Sequence, residues 1–185
     1  MFNKFFILLF FFITFFTSLF ANQKELIINK ILKINNITYN FEQTTNKKKE
    51  IGSCVLFFNN KIRCIYKDKI QKEIIVNGKT LVIRHNLYDK NYYYPISKSP
   101  LSKILNRENL INIIRKSNYK LNDNIELTYL DKNGKTVVIF FDKNNYNLVG
   151  WEIEDQLQNK INFSLKINFV NSDVDPKIFK IPVLN

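Results

Sequence analysis

Cys54 and Cys64, the only cysteines in the sequence, are the pair whose type and spacing most directly permit chemistry. Val55–Phe58 and Ile62–Tyr66 read as two strands about a turn at Asn59-Asn60-Lys61. Such a hairpin sets the two thiols opposite each other, within reach of a disulfide. An even cysteine count in an exported chain fits that bond, with two buried thiols as the alternative. Other chemistry is sparse. His85 is the single histidine and falls at a strand end, the place of a surface or capping residue rather than a catalyst. Glu152 and Glu154 share one face of a strand, where a solvated edge explains them better than an acid–base pair. No Cys, His, Asp and Glu cluster has metal-ligand spacing, and the four glycines form no phosphate-cradling loop. The expectation is no catalytic residue, no metal and no cofactor, hence a binding protein and not an enzyme.

The formal charge of +12 raises nucleic acid as a partner. The excess is nearly all lysine, with Arg63, Arg84, Arg107 and Arg115 as the arginines. Asn, Ile and Phe are abundant too, and all share A/T-rich codons with Lys, so a biased genome accounts for much of the composition. The lysines are also scattered. Their one tight run, Lys47-Lys48-Lys49, reads as a solvated loop ahead of a strand. No nucleic-acid partner is expected, although a basic surface favours anionic membranes or acidic partners.

The N-terminus explains where such a chain would work. Met1–Lys4 carries one positive charge, Phe5–Phe16 carries none, and Thr17-Ser18-Leu19-Phe20-Ala21 precedes a polar turn of composition at Asn22. A charged start, an apolar stretch and a small residue describe a secretory signal peptide over 1–21, cleaved after Ala21. A retained anchor is the alternative, but the apolar run falls short of a bilayer span and no basic cluster follows it. Asn22 stands where a lipid-modified chain needs cysteine, so a soluble mature protein is expected. Residues 22–185 make one domain, long enough for a sizeable core.

The elements that position these residues are mostly strands. Ile27, Ile28, Ile31 and Ile34 share a helical face within 23–34. The period then becomes two, with Ile37, Tyr39, Phe41 and Gln43 on one side of a strand. Further strands are expected at Gln71–Val76 and Lys79–His85 about an Asn77-Gly78 turn, whose residues should both accept positive φ. Ile125–Leu130, Thr136–Asp142, Tyr146–Glu154 and Lys160–Asn171 continue the meander. Ser99-Pro100 reads as a helix start, followed by apolar faces at Leu101, Ile104 and Leu105, then Leu110, Ile111, Ile113 and Ile114. There are helices enough to cover one face of a curved sheet, not both. The fold expected is mainly β with helices: an unclosed antiparallel β-barrel, a curved sheet with an α-helical lid over an apolar cavity.

The order of these motifs resembles the periplasmic outer-membrane lipoprotein carrier family (LolA-type). Phe41-Glu42-Gln43 is similar to the family's Phe-x-Gln, Gly52 opens the next strand as it does there, and Arg63 with Tyr66 resembles an Arg-x-x-aromatic pattern. The most specific segment is Ile74-Ile75-Val76-Asn77-Gly78-Lys79-Thr80-Leu81. Tyr94-Pro95-Ile96 with Ser99-Pro100-Leu101 resembles the entry to the lid, and Trp151, Asp155-Gln156 and Phe179-Lys180-Ile181-Pro182 resemble the C-terminal strands. The resemblance implies a monomeric chaperone in the periplasm of a Gram-negative cell. Its partners would be acylated lipoproteins, an inner-membrane lipoprotein-releasing transporter and an outer-membrane lipoprotein acceptor. An acceptor of the same fold, or another envelope lipid-binding protein, is the alternative.

The candidate acyl-chain lining is Tyr39, Phe41, Leu56, Phe58, Ile75, Leu81, Ile83, Ile139, Phe141, Trp151, Ile153, Phe163 and Leu165, with Ile104, Leu105 and Ile113 from the lid. Val55, Phe57, Val138 and Phe140 are apolar on the alternate parity, so the strand faces compete. One departure stands out. Family members carry an Arg-Pro whose arginine ties the lid closed, and here those positions are Phe58-Asn59. Arg63 or Arg84 is the expected replacement for the latch.

Overall fold

The computed structural model describes residues 23–58, 60–132, 134–154 and 158–183. The expected leader over 1–21, Asn22, and the turn positions Asn59, Asn133, Asp155 and Gln156 lie outside the described residues. Helix α1 covers residues 23–32. Six strands follow: β1 (Asn36–Thr45), β2 (Lys48–Phe57), β3 (Lys61–Tyr66), β4 (Lys72–Asn77), β5 (Thr80–His85) and β6 (Lys90–Pro95). Two short helices come next, α2 (Ser102–Leu105) and α3 (Arg107–Lys116). The chain then forms β7 (Asn118–Leu121), β8 (Asn124–Leu130), β9 (Thr136–Asp142), β10 (Leu148–Glu154) and β11 (Lys160–Val170).

All eleven strands form one antiparallel sheet in the order β6-β5-β4-β3-β2-β1-β11-β10-β9-β8-β7. The long β1 lies at its centre, paired with β2 on one side and β11 on the other. The sheet does not close: β6 and β7 are its two edges, and α2–α3 is the segment that joins them. The unclosed antiparallel sheet read from the sequence is thus the fold the chain adopts. Two of its strands, β6 and β7, carry too little alternation to be seen in advance.

The hairpins obey local rules. Asn46 and Lys47, at φ of 47° and 69°, form the two-residue turn between β1 and β2. Lys48 and Lys49 therefore belong to a strand rather than to a loop, and they pair with Glu50 and Glu42 at 3.0 and 2.7 Å. In the β4–β5 hairpin Asn77 pairs with Thr80, so the turn is Gly78-Lys79 and only Gly78 has positive φ. Glycine at the first central position is the signature of that turn, in place of the expected Asn-Gly centre. Cys54 and Cys64 are direct cross-strand partners and form a disulfide, their Cα atoms 4.1 Å apart.

Helix α3 is capped by Asn106, whose side chain accepts a hydrogen bond from the Asn109 N–H at 2.9 Å. Glu108 in its first turn and Arg115 and Lys116 in its last complement the helix dipole. Ser99-Pro100 marks a turn rather than the helix start itself. The Ser99 hydroxyl accepts from the Leu101 N–H at 3.3 Å, and α2 begins at Ser102.

Candidate functional site

Strand registers divide the sheet into two faces. On one face, Tyr39, Cys54, Cys64, Ile74, Ile83 and Tyr92 line up across β1 to β6. Ile37, Leu56, Ile62, Val76, Leu81 and Tyr94 form the adjoining row. On the other half of the sheet, Phe163, Trp151, Ile139 and Leu127 continue the same face, with Phe41 opposite Leu165. Ile27, Ile28, Ile31 and Ile34 of α1, Ile104 and Leu105 of α2, and Leu110, Ile113 and Ile114 of α3 pack with these side chains in one core, Tyr92 and Tyr94 at the exposed sheet edge excepted. This is the concave, helix-covered face.

Nearly all of the expected lining lies there. Tyr39, Phe41, Leu56, Phe58, Leu81, Ile139, Phe141, Trp151, Ile153, Phe163 and Leu165 are buried together, Ile83 packs against them, and Ile104, Leu105 and Ile113 close the layer from above. Ile75 does not belong to it. Its register places it beside Arg63 and Val82 on the convex face, because β4 is apolar on both sides and its parity cannot be read from hydropathy. The floor of the concave face is aromatic. Trp151 stacks on Phe163 at 4.3 Å, Phe163 on Phe41 at 4.8 Å, and Phe41 meets the edge of Tyr66 at 4.9 Å. Tyr39 stands edge-on to Phe163 at 6.2 Å.

Polar groups fringe this floor near the β1–β2 turn. The Tyr66 hydroxyl donates to Gln43 Oε1 at 3.0 Å, and Lys72 lies over the Tyr66 ring at 3.8 Å while pairing with Glu50 at 2.7 Å. Burial pushes the Tyr66 phenol well above its ordinary range, with the Glu50 and Asp68 charges adding to the effect. Burial would also raise the Glu50 carboxyl, but hydrogen bonds and charge from Lys72 and Lys48 outweigh it and hold the group below the usual carboxylate range. Tyr39 differs from these neighbours. It is 1% exposed and its hydroxyl has no hydrogen-bond partner among the described residues.

The helical cover is fastened by an arginine of its own. Arg107, the first residue of α3, donates from Nη2 to the Ile34 carbonyl at 2.5 Å, and its guanidinium sits 5.6 Å from the centre of the Phe58 ring. Lys103 pairs with Asp131 at 2.5 Å, and the Asn60 N–H reaches the Leu105 carbonyl at 3.4 Å. At the far end of α3, Lys24 of α1 donates to the carbonyls of Arg115 and Ser117 at 3.2 and 2.6 Å. The two arginines expected to latch the lid are elsewhere. Arg63 points to the convex face and pairs with Glu73, while Arg84, on that same face, lies 3.9 Å from Asp89. Phe58 offers the Arg107 guanidinium an aromatic seat, a contact that the sequence does not mark.

The convex face carries a smaller core. Phe179, in the 3-10 turn Pro176–Phe179, is 1% exposed and meets the Phe57 ring edge-on at 5.5 Å. Asn77 Nδ2 donates to the Phe179 carbonyl at 3.2 Å, and the Tyr93 hydroxyl donates to the Pro182 carbonyl at 3.2 Å. Phe179-Lys180-Ile181-Pro182 is therefore a strap across β3 to β6 and not a closing strand.

Fold and lined face together define a half-barrel of the lipoprotein-carrier superfamily. The sequence matches the family model of the outer membrane lipoprotein carrier protein LolA over residues 32–182, and the chain belongs to that family. Its structure is similar to that of the lipoprotein LppX of Mycobacterium tuberculosis, at 12% identity over 85% of this chain and 98% of that one, with a TM-score of 0.50. An uncharacterized conserved protein from Thermus thermophilus aligns at 7% identity, covering 88% and 94% of the two chains, with a TM-score of 0.51. The LolA superfamily protein NE2245 of Nitrosomonas europaea aligns at 10% identity, 86% and 98% coverage and a TM-score of 0.43. At such identities the likeness is one of fold. Comparison with curated proteins returns no match.

Proposed function

We propose that the chain is a periplasmic carrier that holds the acyl chains of lipoproteins against its concave face between an inner-membrane transporter and an outer-membrane acceptor. The observation that carries this reading is the continuous apolar layer, walled by the sheet and roofed by α1, α2 and α3. Residues 22–185 act as one carrier domain after removal of 1–21. The Cys54–Cys64 disulfide fits an oxidising compartment outside the cytoplasm.

Magnitudes favour a lid that shuts when empty and yields to cargo. Each buried CH₂ contributes about 0.8 kcal/mol, so a chain of about sixteen carbons brings roughly 12 kcal/mol. A hydrogen bond from a charged donor contributes about 1.5–3 kcal/mol, so the Arg107 latch is readily outcompeted by an entering chain. The latch is carried by the lid and grips the body at its backbone. It leaves the carbonyl of Ile34, a group that persists whatever side chain stands there, as the acceptor.

The test is release. The chain is exported through its own leader, purified and added to inner-membrane vesicles holding the lipoprotein-releasing transporter, a labelled lipoprotein and ATP. A soluble one-to-one complex is expected. Folded protein that captures nothing while a known carrier succeeds would remove the transport role.

A further inference from the structure

Among the described residues, Tyr39 carries the only fully buried tyrosine hydroxyl without a hydrogen-bond partner. It lies on β1, the central strand, with the Cys54–Cys64 disulfide on one flank and Ile167 on the other. A tyrosine on a strand stands roughly perpendicular to its sheet, which carries the phenol into the layer between sheet and helices. Its neighbours Phe41 and Phe163 fill the same floor with no polar atom. A phenylalanine at 39 would pack equally well, whereas a buried donor without an acceptor is a standing cost.

The nearby polar groups are already committed. The Tyr66 hydroxyl donates to Gln43, and Lys72 is held by Glu50. Burial keeps the Tyr39 proton in place far above the usual range, with Tyr66 adding to the effect, so the group is a neutral donor at any working pH. A neutral donor inside an apolar layer suits an uncharged acceptor, since a phosphate or carboxylate would have to shed its hydration to reach it.

Resting on the acyl-chain reading above, we propose that the Tyr39 hydroxyl donates to the carbonyl oxygen of an acyl ester or amide. It thereby distinguishes an acylated ligand from a plain hydrocarbon chain. The carbonyl belongs either to the lipid-modified terminus of a lipoprotein or to a glycerophospholipid, and both present the same acceptor.

The test uses the full chain exported through its own leader, as wild type and as Tyr39→Phe. The probes are a dipalmitoylglyceryl-cysteine peptide and dipalmitoylphosphatidylglycerol, each beside its dihexadecyl ether analogue. Wild type is expected to prefer the lipopeptide ester over its ether by about fivefold to tenfold, the scale of one hydrogen bond, and Tyr39→Phe to lose that preference. The same preference in the phospholipid pair upholds the proposal and extends it to both sources; its absence there assigns the carbonyl to the lipoprotein. A ¹³C-labelled ester carbonyl should also shift to lower infrared frequency on binding wild type, a readout that needs no variant. Equal affinity for ester and ether in wild type, or a preference that survives in Tyr39→Phe, overturns the proposal. Failure of every probe to bind folded wild type instead removes the acyl-chain reading, and the Tyr39 role with it.

Discussion

Arg107, the first residue of α3, donates its Nη2 hydrogen to the carbonyl of Ile34, just past the end of α1, at 2.5 Å. This bond ties the start of α3 to the end of α1, as the Lys24 bonds tie the other ends of the two helices. Arg107→Ala is expected to cost about 1.5–3 kcal/mol of lid closure. Amide hydrogen exchange should rise in α2 and α3 and stay unchanged in β1 to β3. Arg107→Lys keeps the charge but loses the planar fork over Phe58 and should fall between. Equal protection of α3 in all three proteins would show that the lid is held otherwise.

The disulfide closes a loop with a sequence separation of 10, so replacing both Cys54 and Cys64 by serine should cost about 2–3 kcal/mol. The urea midpoint of wild type should drop on adding reductant, while that of the double variant should not move. A wild-type midpoint indifferent to reductant would contradict the bond.

Glu50 sets an acid limb. Lys72 and Lys48 hold its carboxyl below the usual carboxylate range, against the opposing effect of burial. A carboxyl depressed by folding contributes stability in full above its unfolded value, and that contribution is lost as pH falls through the folded value. Thermal midpoints of wild type should therefore decline in acid, below the usual carboxylate range, more steeply than those of Glu50→Gln, which should already be lower at neutral pH. Parallel acid limbs would show that Glu50 contributes nothing.

The reading of the strands from sequence succeeded where one face meets water and failed where both faces are covered. On β10, Trp151 and Ile153 alternate with Glu152 and Glu154, and the parity is plain. On β4, Ile74, Ile75 and Val76 run together because Phe179 roofs the convex side, so Ile75 carried no mark of its face. The edge strands β6 and β7 were invisible for the opposite reason. Their Lys-Asn-Tyr-Tyr-Tyr-Pro and Asn-Tyr-Lys-Leu sequences are half exposed and lack a buried row. Arg63 and Arg84 could not be oriented without the register, and the Arg107 contact joins segments 73 residues apart.

Gly52 explains one feature that composition alone leaves mute. A Cβ there would lie 2.2 Å from the Ile65 carbonyl oxygen and 2.7 Å from the Phe41 ring. Gly52→Ala is expected to destabilise by about 1–3 kcal/mol and to displace Phe41 from its stack on Phe163, measurable as altered near-ultraviolet circular dichroism. A fully stable variant with an unaltered spectrum would mean that the strands part more easily than this geometry allows.

Phe179 belongs to the convex core, away from the helix-covered face. Phe179→Ala should cost about 3–5 kcal/mol through the cavity it leaves on the convex side, yet leave acyl affinity as in wild type at temperatures where the protein stays folded. Loss of affinity in the folded variant would show that the two faces communicate.

A closed barrel has its diameter set once strand number and stagger are chosen, because every strand is bonded on both sides. With β6 and β7 left as free margins, no such constraint fixes the girth of this protein. The chain between those margins is the lid itself, so lifting α2 and α3 and spreading the margins are a single motion. On the carrier reading proposed above, the half-barrel can then widen by degrees with the bulk it receives, like a sleeve laced along one side, and grip cargoes of different size with the same wall.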